Sequence, residues 1–529
     1  MALPLSYVVS ETVNLSSPGI TRQGFGIPLI LSNTGNAWAT PERFRTYDLS
    51  AGLSGVEDDF PSTTVEYAVA AALAAQPSPP RTIMIGKGAN KPTMIRKLSS
   101  ITAVNSTTYV ITVWNNGRLW TASYTSDSSA TVAEIVAGLV AQLTGSAWQS
   151  STAYTAGQRV TNDTGKLYEC TTGGTSAGSG GPTGTGAAIT DGSCVWDYVA
   201  TPNFTATATD TNTTITCTGN AAGDWFAIEP VASGDASAVT NLMTLTDNTT
   251  DPGVSTDLTA ILTASARWYA LIPLFKSKAI LSTPGTGVSA WCNANKRLLV
   301  VAVSDTACVN TTASGGTDVL AVLLGQGGSY TAAQYHPRDY EWLDACTDGY
   351  FLPIAPGGDN WRLKTLTGPT PVNFTETQRT NLEDRRAGYY TTLAQTNLLA
   401  GEGYVENTTY GFIDTRRNID AHTVAEQEDI ITVLIANNKV ANTTAGRQLI
   451  ENVMRSRIQS SIDAGIISPD PLDPTNAQNP VMLPYVITMP PVSNTNSFNA
   501  ATRNLSGVSE RWRLANGINS LDITVNVTN

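Results

Sequence analysis

The sequence predicts a multidomain chain of mixed α/β and α+β class. Three observations carry this. Helix-forming stretches alternate with short apolar strands in two separated regions, 63–85 and 257–324, the rhythm of a covered, mainly parallel sheet. Between them the composition shifts to Thr, Val, Tyr and Trp, and short strands surround one helix pattern. From about residue 360 onward, helix caps and 3.6-residue periodicity dominate.

The elements follow in order. Leu5, Tyr7 and Val9 alternate with Ser6, Val8 and Ser10, which predicts a strand. A second apolar run is Phe25-Gly-Ile-Pro-Leu-Ile-Leu31. Residues 63–75 predict a helix, stopped by Pro77-Ser-Pro-Pro80 and followed by the strand Thr82–Ile85. The spliced-in block predicts strands over 99–125, a helix over 130–143 from the spacing of Val132, Ile135, Val136, Leu139 and Leu143, and strands again over 203–231. Within it, 147–200 carries a Gly/Ser/Thr loop (171–188) flanked by Trp148, Tyr154, Tyr168, Trp196 and Tyr198. Aromatics around so long a loop predict a small β module rather than a linker.

The α/β beat returns with helix Asp257–Trp268 before strand Tyr269–Ile272, helix Gly287–Lys296 before Arg297–Val303, and a helix over Asp318–Leu324. Thr375-x-x-Gln378 reads as a capping box opening a helix with Leu382, Tyr389 and Leu393 inward. Thr423-x-x-Glu426 reads as another, opening a helix with Val424, Ile430, Ile431, Leu434 and Ile435 apolar. A third helix spans 445–462, with Gly465 as its stop. At the far end Leu521, Ile523, Val525 and Val527 alternate strictly with Asp522, Thr524, Asn526 and Thr528, a period-2 strand.

Composition narrows the function. Of the 529 residues 41% are hydrophobic and only 14% charged, against roughly 25% charged in an average soluble domain. Such a surface suits a chain covered by neighbours. The net charge of −12 and the absence of a basic run argue against direct nucleic-acid binding. No uninterrupted apolar stretch of about 18 residues occurs, so no membrane insertion is expected, and the first 21 residues lack the charge and apolar core of a secretory signal. Cys170, Cys194, Cys217, Cys292, Cys308 and Cys346 show no C-x-x-C pair and read as buried free thiols.

Catalytic signals are sparse, and neither an enzyme nor a cofactor is expected. His336 and His422 lack ligand-spaced partners and read as structural or solvated. Gly86-Lys-Gly88 lacks the rest of a phosphate-binding fingerprint and reads as a turn. Gly174-Thr-Ser176-Ala-Gly178 matches G-x-S-x-G, but it lies in a low-complexity loop rather than on a strand-to-helix elbow. Glu57-Asp58-Asp59 and Glu426/Glu428/Asp429 are candidate acid/base carboxylates, the second group reading better as first-turn residues answering a helix dipole. Arg385-Arg386, Arg416-Arg417 and Arg455/Arg457 read as scattered, or as contacts to acidic surfaces of neighbouring subunits.

The stretch 360–467 resembles the C-terminal region of contractile bacteriophage tail sheath proteins. The resemblance lies in an ordered series: Leu363-Lys-Thr-Leu-Thr-Gly-Pro369, a helix ending in Ala387-Gly-Tyr-Tyr390, Gly403-Tyr-Val, Gly411-Phe-Ile-Asp414-Thr-Arg-Arg417, and Asn442-Thr-Thr-Ala-Gly446-Arg-Gln-Leu-Ile-Glu-Asn-Val453. Residues 5–26 and 257–345, with Ala266-Arg-Trp-Tyr269, Tyr335-His336 and Glu341-Trp342, are similar to a phage branch formerly of unknown function.

The resemblance implies a sheath core domain built from both chain ends. Residues 1–98 would hold the N-terminal arm and first part of the core, 99–250 an inserted, outward-facing α+β domain containing the 147–200 module, 251–360 the α/β part, and 361–529 the remaining core with the C-terminal arm. It implies six-membered rings stacked on a tail tube, contraction that drives the tube through the host envelope, and synthesis in the bacterial cytoplasm before residence in the virion tail. Implied partners are further copies of the chain, the tail tube protein, and baseplate and tail terminator proteins. Inter-subunit β-augmentation would use Leu5, Tyr7, Val9, Val13 and Leu15 at one end and Leu521, Ile523, Val525 and Val527 at the other. The 147–200 insert resembles small carbohydrate-binding modules. Trp148, Tyr154, Tyr168, Trp196 and Tyr198 then either stack on a surface glycan or form the module's core. A glycan-binding tail adhesin or fibre component is the alternative function.

Overall fold

The computed structural model describes residues 24–517 apart from 36–37, 39–41, 233–234, 240–241, 314, 402, 410 and 477–479. The expected arm residues Leu5, Tyr7, Val9, Val13, Leu15, Leu521, Ile523, Val525 and Val527 lie outside the described residues.

An eight-stranded sheet organises the chain. Its strands are β1 (Pro28–Ser32), β2 (Phe44–Asp48), β3 (Thr82–Lys87), β4 (Ala270–Pro273), β5 (Leu298–Val303), β6 (Thr331–Tyr335), β7 (Gly388–Leu393) and β8 (Thr396–Ala400). The spatial order is β2-β3-β1-β4-β5-β6-β7-β8. The run from β3 to β7 is parallel, and antiparallel β2 and β8 close the edges. β5 explains the unbroken apolar sequence: Leu299, Val301 and Val303 pack into one core, Leu298, Val300 and Ala302 into another. Val254, Leu258 and Ile261 of helix Val254–Ala264 belong to the first core; Leu343, Cys346 and Phe351 of helix Leu343–Phe351 belong to the second. A strand covered on both faces has no use for polar alternation.

Residues 95–247 leave the sheet after β3 and return before β4. They form two four-stranded antiparallel sheets, one ordered Phe204–Thr209, Thr214–Gly219, Ile95–Ser99, Thr244–Asp247, the other Asp235–Val239, Phe226–Ala232, Thr108–Asn115, Arg118–Thr125. Helix Val132–Thr144 packs its Ile135, Val136, Leu139 and Leu143 inward and opens with a full Thr131/Glu134 capping box. From this unit grows the smaller five-stranded sheet, ordered Ile189–Asp191, Cys194–Ala200, Lys166–Thr172, Arg159–Asn162, Ser146–Ala147, with its own core.

Two expectations are corrected in the last third. The helix opened by the Thr375/Gln378 box ends at Asp384. Arg386 then adopts φ 55°, and Tyr389 and Leu393 lie on β7 instead of a helix face. Thr423 caps nothing. A single helix runs Ile413–Ala436, and Thr423 Oγ1 donates back to the Ile419 carbonyl at 2.8 Å. The third helix, Thr444–Asp463, forms as expected, and Gly465 follows it at φ 79°, donating to the Ile462 carbonyl. A two-stranded ribbon, Tyr485–Thr488 with Ser509–Trp512, packs on the helix pair through Tyr485, Ile487 and Trp512. No helix among the described residues is long and apolar enough to cross a membrane.

Candidate functional site

The aromatic module is built inward. Tyr168 and Trp196 are fully buried and Tyr154 is nearly so. Tyr154 meets Trp196 edge-on with ring centroids 5.0 Å apart, and Tyr168 meets Tyr198 at 6.0 Å. Asp191 ties the two tryptophans together, accepting from Trp148 Nε1 at 2.8 Å and Trp196 Nε1 at 3.2 Å. Stacking on sugar needs an exposed ring face; among the five aromatics only Trp148 and Tyr198 are half-buried, and Arg118 already covers Tyr198, 5.0 Å from its centroid. Cys170 and Cys194 lie in the same core as free thiols, and burial pushes both thiols up. The other four cysteines are likewise free and buried.

Ser176 is a strut. It is 5% exposed, its Oγ donates to the Gln149 carbonyl at 2.8 Å, and it accepts the Thr152 N–H at 2.9 Å. With neither a base nor an elbow at its hydroxyl, the G-x-S-x-G match reflects loop composition. Asp59 is equally committed, accepting from Tyr47 at 2.6 Å and from Arg45.

A polar and aromatic seam joins the inserted unit to the core sheet. Arg96 bonds Asp339 and lies 3.6 Å from Asp247. Arg338 reaches Glu229 at 3.1 Å, and Tyr340 donates to the same carboxylate at 2.7 Å. Trp225 lies between Trp114, met edge-on with centroids 5.3 Å apart, and Trp342, tilted against it at 4.7 Å, and its Nε1 donates to the Leu274 carbonyl at 2.8 Å. Burial, with Asp318 and Asp247 nearby, pushes Asp305 beside this seam up to about 6.

Each arginine of the three pairs has a partner within its own chain. Arg385 is fully buried on Asp318, and Arg417 on Asp359 at 2.6 Å. Arg416 pairs with Asp420 at 2.8 Å, and Arg386 lies over the Tyr404 ring at 4.0 Å. Arg455 and Arg457 are taken by Glu451 and Asp429. Arg385 and Arg417 are needed in the interior, because an unpaired buried carboxylate is costly.

The helix pair 413–463 holds two features that the sequence only half disclosed. Every buried residue of helix Ile413–Ala436 lies in its first ten positions. Beyond them Ile431, Leu434 and Ile435 are 44, 50 and 62% exposed, an i, i+3, i+4 stripe on a projecting half-helix. Leu449, Met482 and Leu483 are also exposed.

Next to the base of that projection, His422, Glu426 and Glu510 bring one ligand atom each within 4.8 Å of one another. Ser461 Oγ lies 2.8 Å from His422 Nδ1, and Glu510 Oε1 lies 3.1 Å from Nε2. Trp512 Nε1 also donates to Glu510 Oε1 at 2.9 Å. Burial and then the Glu510 charge push Glu426 up to about 7. Burial opposes ionisation of Glu510 too, but bonds from His422 and Trp512 hold it below the usual carboxylate range. The dipole reading of Glu426, Glu428 and Asp429 is overturned: all three lie mid-helix, and Asp429 pairs with Arg457. The His422–Glu426 spacing of i, i+4 was visible in the sequence; Glu510, 84 residues further on, was not.

No protein-family profile matches the chain. No curated protein matches it either. Among solved structures, the sheath tail protein of Listeria innocua aligns over 92% of this chain and 95% of its own, with 11% identity and a TM-score of 0.36. The chain is similar to a tail sheath protein. A chain of the anti-feeding prophage baseplate aligns over 53% of this chain and 73% of its own, with 13% identity and a TM-score of 0.36.

Proposed function

We propose that this chain is a structural, non-enzymatic subunit of a contractile phage tail sheath, polymerising with copies of itself as stacked six-membered rings around a tail tube. The observation that carries the reading is the apolar stripe Ile431, Leu434 and Ile435 on a half-helix that the described residues of its own chain leave uncovered. A free monomer gains nothing from presenting such a row to water, whereas a subunit covers it on assembly. The stripe lies inside the stretch whose ordered motifs resemble sheath proteins.

In this reading residues 5–15 and 519–529 add strands to neighbouring subunits, linking them while ring geometry changes. Backbone hydrogen bonds of about 1 kcal/mol each tether without fixing the angle between subunits. The 99–250 unit faces outward, carrying the 147–200 module, and contraction drives the tube through the host envelope. Baseplate, terminator and tube proteins are the remaining partners.

Negative-stain microscopy of the purified chain over a concentration series tests this. Ringed tubes or stacked rings are expected, and deletion of 519–529 is expected to abolish them while leaving the fold intact. A chain that stays monomeric at every concentration overturns the reading.

A further inference from the structure

We propose that His422, Glu426 and Glu510 bind one divalent cation of the zinc class, clipping the long helix Ile413–Ala436 to the strand Ser509–Trp512. The donor set is one imidazole and two carboxylates, a combination that suits zinc and its first-row neighbours and leaves one position for water. Two neutralising negative charges meet a dication around a neutral histidine, so the occupied site carries no net charge.

Three observations beyond proximity support an occupant. Glu426 Oε1 and Glu510 Oε2 are buried with no hydrogen-bond donor other than a proton shared between the two carboxyl groups, while the second Glu510 oxygen is already held by Trp512 Nε1 at 2.9 Å. The free oxygen is thus the one left for a ligand bond. His422 is 1% exposed and its Nδ1 sits 2.8 Å from Ser461 Oγ. When that nitrogen donates to Ser461, Nε2 faces the Glu510 carboxylate, and a bound cation takes the place of the proton that otherwise joins them, with the outer-shell support typical of metal-bound histidine. Finally, the three ligands come from two elements whose mutual position the helix Thr444–Asp463 fixes through Ser461.

The groups facing the cluster are Ser461, Trp512, Arg457 and Asp429, and the last two neutralise each other at 2.5 Å. Ligand atoms within 4.8 Å of one another reach a shared ion at about 2.0–2.2 Å through small side-chain rotations. The consequence is a fastener on the segment that leads to the chain's last residues. It is independent of the tail reading and holds whether or not the chain polymerises.

The test uses the full chain, stripped with chelator and titrated with zinc chloride by calorimetry, with cobalt(II) absorption as a coordination probe. One equivalent is expected, with a raised Tm and a tetrahedral cobalt spectrum. Glu426→Gln and Glu510→Gln should each weaken zinc binding at least tenfold and abolish the cobalt spectrum, with the metal-free Tm no lower than that of the parent. Wild-type affinity in Glu426→Gln, or no stoichiometric binding by the parent, overturns the proposal. The second result leaves the two carboxylates sharing a proton instead.

Discussion

Replacing Leu434 and Ile435 together by Lys should separate folding from assembly. Leu434 and Ile435 are 50 and 62% exposed in the isolated chain, so the fold has little to lose. Substitutions at such positions usually stay within about 0.5 kcal/mol, and Lys is a better helix former than Ile. Assembly has more at stake. Full burial of a Leu or Ile side chain contributes about 1.5–3 kcal/mol. The half still facing water is then worth about 1 kcal/mol per residue, or roughly 2 kcal/mol for the pair. Two ammonium groups placed in a closed apolar contact add a desolvation cost of at least that order. At 1.4 kcal/mol per factor of ten, the concentration needed for polymerisation should rise by a factor on the order of a hundred to a thousand. Sedimentation of polymer across a dilution series gives that concentration, and circular dichroism gives the Tm. Polymers forming at the parental concentration would refute the assignment of the stripe to an interface. A collapsed Tm would show that the stripe belongs to the fold.

Other expectations concern stability. Arg385→Met strands the buried Asp318 carboxylate and should cost about 3–5 kcal/mol in urea unfolding; adding Asp318→Asn, which keeps the cap on Ala321 N–H, should recover much of it. Asp305 titrates at about 6 when folded against ~3.9 unfolded, so the folded chain takes up a proton between those values. Its contribution is complete below pH ~4 and is lost as pH rises through about 6. Asp305→Asn should therefore flatten the stability profile over that window and stabilise the chain at pH 7 by on the order of 2–3 kcal/mol, read by thermal melts across pH; an unchanged slope would assign the titration elsewhere. Ser176→Ala removes two hydrogen bonds and should destabilise the module by about 1–2 kcal/mol in hydrogen exchange of 147–200, with no change in esterase background.

What could be read from the sequence depended on what each element buries. β5 and the helix Val132–Thr144 were legible because their inward residues are apolar and local period alone places them. The helix Ile413–Ala436 was missed for ten residues because its buried face is Thr415, Arg417, Asn418, Asp420 and His422, which carries no hydrophobic period. The Thr423-x-x-Glu426 pattern then offered a false start, since a threonine bonded back to residue i−4 looks like a cap in sequence. β7 failed for a different reason. Its place is set by pairing with β6, Tyr335 opposite Tyr389, a contact across more than fifty residues that no window contains. The candidate cation site divides along the same line, two ligands local and one distant.

The low charge content also acquires a sharper meaning. It suggested a covered surface on composition alone, but composition counts every charge as though it were outside. Arg96, Lys276, Arg338, Arg385 and Arg417 are buried, together with Glu229, Asp318, Asp339, Asp344 and Asp359. These ions latch the insert onto the core and the base of the long helix onto the loop after helix Leu343–Phe351: Arg96 to Asp339, Arg338 to Glu229, Arg417 to Asp359. Part of the 14% charge content therefore lies inside the fold, paired, and says nothing about the surface. These interior ions hold the elements of one chain together. The exposed stripe lies in the uncharged run Ile430–Asn438, so covering it buries no charge of its own segment.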